Sequence, residues 1–89
     1  MADKAPGGLP KVLLSDGRSI ELNLYAVTRR DFTILNALSG DEHKAKSNDI
    51  YARITGLSVD ELEDLPFPDW IQLDRKIVSM LTNPLADPN

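Results

Sequence analysis

The side chains of this 89-residue chain that could do chemistry are one histidine and a short run of carboxylates. His43 stands between Glu42 and Lys44, with no partner at metal-ligand or triad spacing, and reads as a solvated loop histidine. Asp60, Glu61, Glu63 and Asp64 fall at the spacing of an exposed helical face, where nothing buries one carboxyl and raises it for general acid work. The same carboxylates lack the alternation and central glycine of a calcium loop. No P-loop, GxGxxG or GxSxG pattern occurs, and the absence of cysteine removes disulfides and thiolate zinc sites. The expectation is a protein without catalytic residues, cofactor or metal, and not an enzyme.

Two patterns point to binding instead. Ala52, Gly56, Ser58 and Leu62 recur as in a helix-turn-helix, whose second helix would have to enter a DNA groove. That helix would present Asp60, Glu61, Glu63 and Asp64 to phosphates, while Arg29, Arg30, Lys44, Lys46 and Arg53 lie elsewhere. The charge favours a tight helix–helix corner over a DNA reader. The second pattern is aromatic. Phe67 and Trp70, with Ile71 and Val78, are candidate anchors for a protein partner in an apolar groove between the last helix and a hairpin. The competing reading makes Trp70 a plug in the core.

These side chains need a small scaffold. The length fits one domain, and 42% hydrophobic with 27% charged residues is ordinary for a globular protein. A net charge of −4 argues against nucleic acid or an anionic membrane as the main partner. No apolar run approaches the roughly 20 residues of a membrane span, and the N-terminus lacks a signal-peptide core, so a cytoplasmic location is expected.

Residues 1–10, with Pro6-Gly7-Gly8, read as a disordered arm, residues 11–82 as a single small domain and residues 83–89 as a flexible tail. A hairpin over about residues 11–24 turns at Ser15-Asp16-Gly17. A three-residue loop with left-handed Gly17 pairs Val12 with Ile20 and puts Val12, Leu14, Ile20, Leu22 and Leu24 on one face. Thr28 and Asp31 open a helix over 29–38 that Ser39-Gly40 ends. Residues 41–46 have no apolar period and read as a loop. Ser47 or Asn48 then caps a helix over 48–55, with Ile50 and Ile54 one turn apart and Gly56 as its stop. Ser58 and Glu61 form a capping box and Leu57 and Leu62 a hydrophobic staple for a helix over 58–65, with Val59 on its apolar edge. Pro68 opens the last helix, 68–81, whose stripe is Trp70, Leu73, Ile77 and Leu81, broadened by Ile71, Val78 and Met80. The fold class is therefore α+β: an N-terminal hairpin packed on three to four short helices. A four-element fold of this size leaves room for self-association.

Three pieces in this order resemble a known family: Leu14-Ser15-Asp16-Gly17-Arg18 followed by Ile20-Glu21-Leu22, the helix entry over residues 25–32, and residues 56–62 leading to Pro68-Asp69-Trp70. The chain is similar over residues 11–81 to the tail assembly chaperones of tailed bacteriophages and prophages, of the type related to that of phage Mu. The resemblance implies a non-enzymatic scaffold that binds the tape measure protein, keeps it soluble and helps tail tube protein assemble around it. It also implies a cytoplasmic role in the bacterial host, outside the mature virion.

Overall fold

In the computed structural model, which describes residues 9–82, the register of the hairpin follows from one glycine. Gly17 has φ +94°, so the chain reverses over Ser15-Asp16-Gly17, and the Leu14 N–H donates to the Arg18 carbonyl at 2.8 Å. The Asp16 carboxylate accepts the Arg18 N–H at 2.9 Å and its Nε at 2.8 Å. Strands β1 (Lys11–Leu13) and β2 (Ser19–Glu21) are antiparallel with Val12 opposite Ile20, the pairing a three-residue loop requires. Val12, Leu14, Ile20 and Leu22 are buried on one face, and Leu24 is partly buried against them.

At the open end of the hairpin the second strand stops earlier, and the first starts earlier, than the sequence suggests. Past Glu21 the Asn23 carboxamide accepts the Tyr25 N–H at 3.0 Å and starts a 3-10 turn over Leu24–Ala26, while the Asn23 N–H donates to the Ile54 carbonyl at 2.9 Å. On the facing strand at the same open end, the Pro10 carbonyl already accepts the Leu22 N–H at 2.8 Å. The rest of the expected arm and the expected tail, residues 1–8 and 83–89, lie outside the described residues.

Four helices follow, α1 (Arg29–Ala37), α2 (Gly40–Thr55), α3 (Val59–Glu63) and α4 (Phe67–Thr82), giving the α+β class read from the sequence. Helix α2 corrects the expected loop at 41–46: the helix begins at Gly40 after Ser39, and Ser47 and Asn48 are interior to it rather than caps. Asp41 and Glu42 sit in its first turn, where the helix end is partially positive. Its polar first half carries no apolar stripe, and the ion pairs that tie α2 to α1 come from Lys46 and from Arg53 in the last turn. Lys46 Nζ reaches Asp31 on α1 at 3.1 Å and Asp49 at 3.4 Å, and Arg53 reaches the same two carboxylates at 2.7 and 2.9 Å. Asp31 is only 8% exposed and also accepts the Thr28 N–H at 2.7 Å. Hydrogen bonds from Arg53 first, then from Thr28 and Lys46, hold its carboxyl far below the usual aspartate range.

Gly56, at φ +78°, ends α2 in the left-handed conformation, and its N–H bonds the Ala52 carbonyl at 2.8 Å. The capping box forms as expected. Ser58 N–H donates to Glu61 Oε1 at 2.8 Å, and Glu61 N–H donates to Ser58 Oγ at 3.1 Å. Leu57 and Leu62, the staple pair, are both buried. Helix α3 is shorter than the expected 58–65, and Val59 is exposed rather than turned to the core. Pro68 falls at the second position of α4, still within the first turn, where backbone N–H groups lack helical partners.

The core joins the hairpin face to Ile50 and Ile54 of α2, to the staple leucines, and to Leu73, Ile77 and Met80 of α4. Each fully buried Leu or Ile there contributes about 1.5–3 kcal/mol over exposure. Met80 takes the buried place that the expected stripe assigned to Leu81, which is half-buried. One polar contact locks the two ends of the domain together. Asp69, buried in the first turn of α4, accepts the Ser15 N–H at 3.1 Å and the Ser15 hydroxyl at 2.7 Å.

Candidate functional site

Helix α4 positions all the side chains singled out for partner binding, and its rotation sorts them. At about 100° per residue, Leu73, Ile77 and Met80 point to the core while Phe67, Ile71 and Val78 fall within a narrow sector of the flank. Phe67 is 70% exposed and Val78 43%, and Ile71 is half-buried between them. These three form an apolar ridge along the helix. Trp70 lies nearer the core, half-buried, its ring 5.5 Å from that of Tyr51 and tilted by 39°. Tyr51 in turn donates to Asp74 Oδ1 at 2.8 Å, and burial together with that carboxylate pushes its phenol up, so it stays a neutral donor. Trp70 is thus partly a core residue and partly a wall of the surface.

A groove lies on each side of the ridge. Between α4 and β1 an open groove of about 760 Å³ is lined by Lys11, Leu13, Pro68, Ile71, Arg75 and Lys76, among others. Leu13 is 65% exposed there because strand alternation turns it away from the buried Val12 and Leu14. Gln72 Nε2 donates to the Leu13 carbonyl at 2.9 Å across the same groove. Between α4, α3 and α2 a second groove of about 380 Å³ is lined by Leu62, Leu65, Phe67 and Trp70, with Lys44 and Glu63 at its rim. The four expected anchors are therefore not gathered in one groove. Ile71 lines the hairpin side, Phe67 and Trp70 line the opposite side, and Val78 lines neither.

The other candidates occupy less constrained places. His43 is exposed on α2, not on a loop, and no side-chain hydrogen bond to it is found among the described residues. The carboxylates of α3 and Asp64 are exposed, and Glu61 is lowered, chiefly by the Ser58 N–H, the opposite of what an acid catalyst requires. Among the described residues no group of histidine and carboxylate side chains is placed to hold a metal ion. The α2–α3 corner has the compactness of a helix-turn-helix, but α3 has five residues and carries Asp60, Glu61 and Glu63. Two of the basic residues weighed for DNA, Lys46 and Arg53, are engaged by Asp31 and Asp49. No family model, curated protein or solved structure matches the chain. No helix among the described residues is long and apolar enough to cross a membrane.

Sequence reasoning missed Leu13, Arg75 and Lys76 as groove residues. Leu13 had a readable signal, since the register that buries Val12 and Leu14 must expose the residue between them. For Arg75 and Lys76 no local signal distinguishes them from other charged positions of an amphipathic helix.

Proposed function

We propose that this chain is a tail assembly chaperone of the tailed-phage type, acting by reversible contact with the tape measure protein and aiding tail tube assembly in the cytoplasm of a bacterial host. The observation that carries the reading is the α4 flank, where Phe67, Ile71 and Val78 share one sector of the helix, Phe67 and Ile71 border two grooves, and Leu13 is exposed across one of them. Large side chains left at a groove edge supply the apolar anchors that protein interfaces use. The sequence resemblance supplies the partner. In co-expression with the tape measure protein encoded nearby, the partner is expected to become soluble and to co-purify with this chain. Phe67→Ser combined with Val78→Ser should weaken that capture without unfolding the domain. A tape measure protein whose solubility is indifferent to this chain, and which does not co-purify with it, would end the proposal.

A further inference from the structure

The two grooves beside α4 differ in charge, and the difference identifies a partner chemistry. The groove on the hairpin side is lined by three cationic side chains, Lys11, Arg75 and Lys76, and by no carboxylate, on a chain whose net charge is −4. Lys11 reaches Glu21 only at 4.0 Å, and neither Arg75 nor Lys76 forms an ion pair among the described residues. Between these charges lies an apolar floor of Leu13, Pro68 and Ile71. The chain's acidic surface on α3 and the start of α2 belongs to other elements.

We infer that this groove takes an acidic amphipathic helix of a protein partner, its apolar stripe on Leu13 and Ile71 and its carboxylates on Lys11, Arg75 and Lys76. This rests on the protein-binding reading above and names the chemistry of the bound segment. A helix fits better than an added strand. The Leu13 carbonyl, which points out from the edge of β1, already accepts the Gln72 side chain, so strand addition would have to displace that hydrogen bond. The lining residues of α4 run from Pro68 to Ser79, a rise of about 16 Å, or three turns of a docked helix. Complementary charge at the rim sets which helices are accepted and speeds their encounter.

The test uses the full chain and two labelled helical peptides with the same apolar spacing, one flanked by Glu and the other by Lys, followed by fluorescence polarisation. The Glu peptide should bind about tenfold or more tightly than the Lys peptide, and its advantage should shrink as salt screens the rim charges. Arg75→Glu with Lys76→Glu should reverse the preference, and Leu13→Ser should weaken both peptides without altering it. Arg29→Glu with Arg30→Glu, an equal charge reversal on exposed residues of α1 outside the groove, should leave the preference unchanged. Equal affinity for the two peptides, or a preference unmoved by the charge reversal, overturns the inference. So does competition by duplex DNA at equal charge concentration, which would mark a site for any polyanion. Self-association that the charge reversal abolishes would also overturn it, assigning the groove to the α3 of a second copy. The outcome is separable from the family reading. Capture of the tape measure protein by the Arg75→Glu, Lys76→Glu variant leaves that reading standing and this groove out of it. Binding of the Glu peptide by a chain that ignores the tape measure protein does the reverse.

Discussion

Asp69→Ala should loosen the hairpin from α4, and the size of the effect can be worked from the contacts. The carboxylate accepts the Ser15 N–H at 3.1 Å and the Ser15 hydroxyl at 2.7 Å, and it is 8% exposed. Hydrogen bonds to a charged acceptor are worth about 1.5–3 kcal/mol each when both ends are buried. Ser15 is exposed, so its freed donors regain water and each bond falls to the ordinary net value of about 1 kcal/mol, or about 2 kcal/mol for the pair. Loss of a negative charge from the first turn of α4 adds about 0.3–1 kcal/mol. The total of about 2–3 kcal/mol corresponds to a fall in Tm of about 10–20 °C for a domain of this size. Ser15→Ala removes the hydroxyl and keeps the backbone donor, so it should cost about 1 kcal/mol. Urea unfolding of both variants and the double variant closes a thermodynamic cycle. The coupling energy should be about 1 kcal/mol, outside the few tenths expected of independent sites. Additive effects, or an Asp69→Ala variant with unchanged Tm, would show that the contact does not hold the hairpin.

Asp31→Asn tests the charge network between α1 and α2 through its pH dependence. The folded carboxyl lies below the ordinary value of 3.8, so under acid the unfolded chain binds the proton first and stability falls with pH in that window. The stability gap between wild type and Asp31→Asn should therefore be constant near neutrality and narrow as pH drops through 3.8 towards the depressed folded value, read from urea midpoints. A gap that does not narrow in acid refutes the assignment. Gly56→Ala should cost about 1–2 kcal/mol, the penalty for a left-handed L-residue. With φ +78° and nothing within 4 Å of the added methyl, no steric term adds to it, so a much larger loss in thermal unfolding would point to a contact the geometry does not contain. Duplex DNA of mixed sequence at low salt should not be retarded by the chain. A discrete shifted complex would revive the DNA reading, and its loss on changing exposed Arg29 and Arg30 would place the contact on α1 rather than on the α2–α3 corner.

The hairpin register and the α2–α3 corner were legible because their determinants are local. Gly17 must take positive φ, one register alone keeps Val12, Leu14, Ile20 and Leu22 together, and Ser58 and Glu61 satisfy each other within one turn. The first half of α2 was not legible, since an apolar period signals only helices held by apolar burial. Lys46 near the middle of α2 and Arg53 in its last turn tie the helix to α1, and their shared carboxylate lies 15 and 22 residues away in the sequence. Asp69 shows the same limit more sharply: it reads as an ordinary first-turn acid, yet its partner is 54 residues earlier. The candidate surface divides along the same line. That Phe67, Ile71 and Val78 share a flank follows from helical rotation alone, and Leu13 from strand alternation. Whether that flank borders one groove or two depends on where β1 and α3 come to rest against α4. The charge of the hairpin-side groove depends on it too, because Arg75 and Lys76 become a cationic rim only when Lys11 is brought beside them with no carboxylate among the lining residues. The proposed specificity for an acidic helix is therefore a property of the tertiary fold that no segment of the chain carries alone.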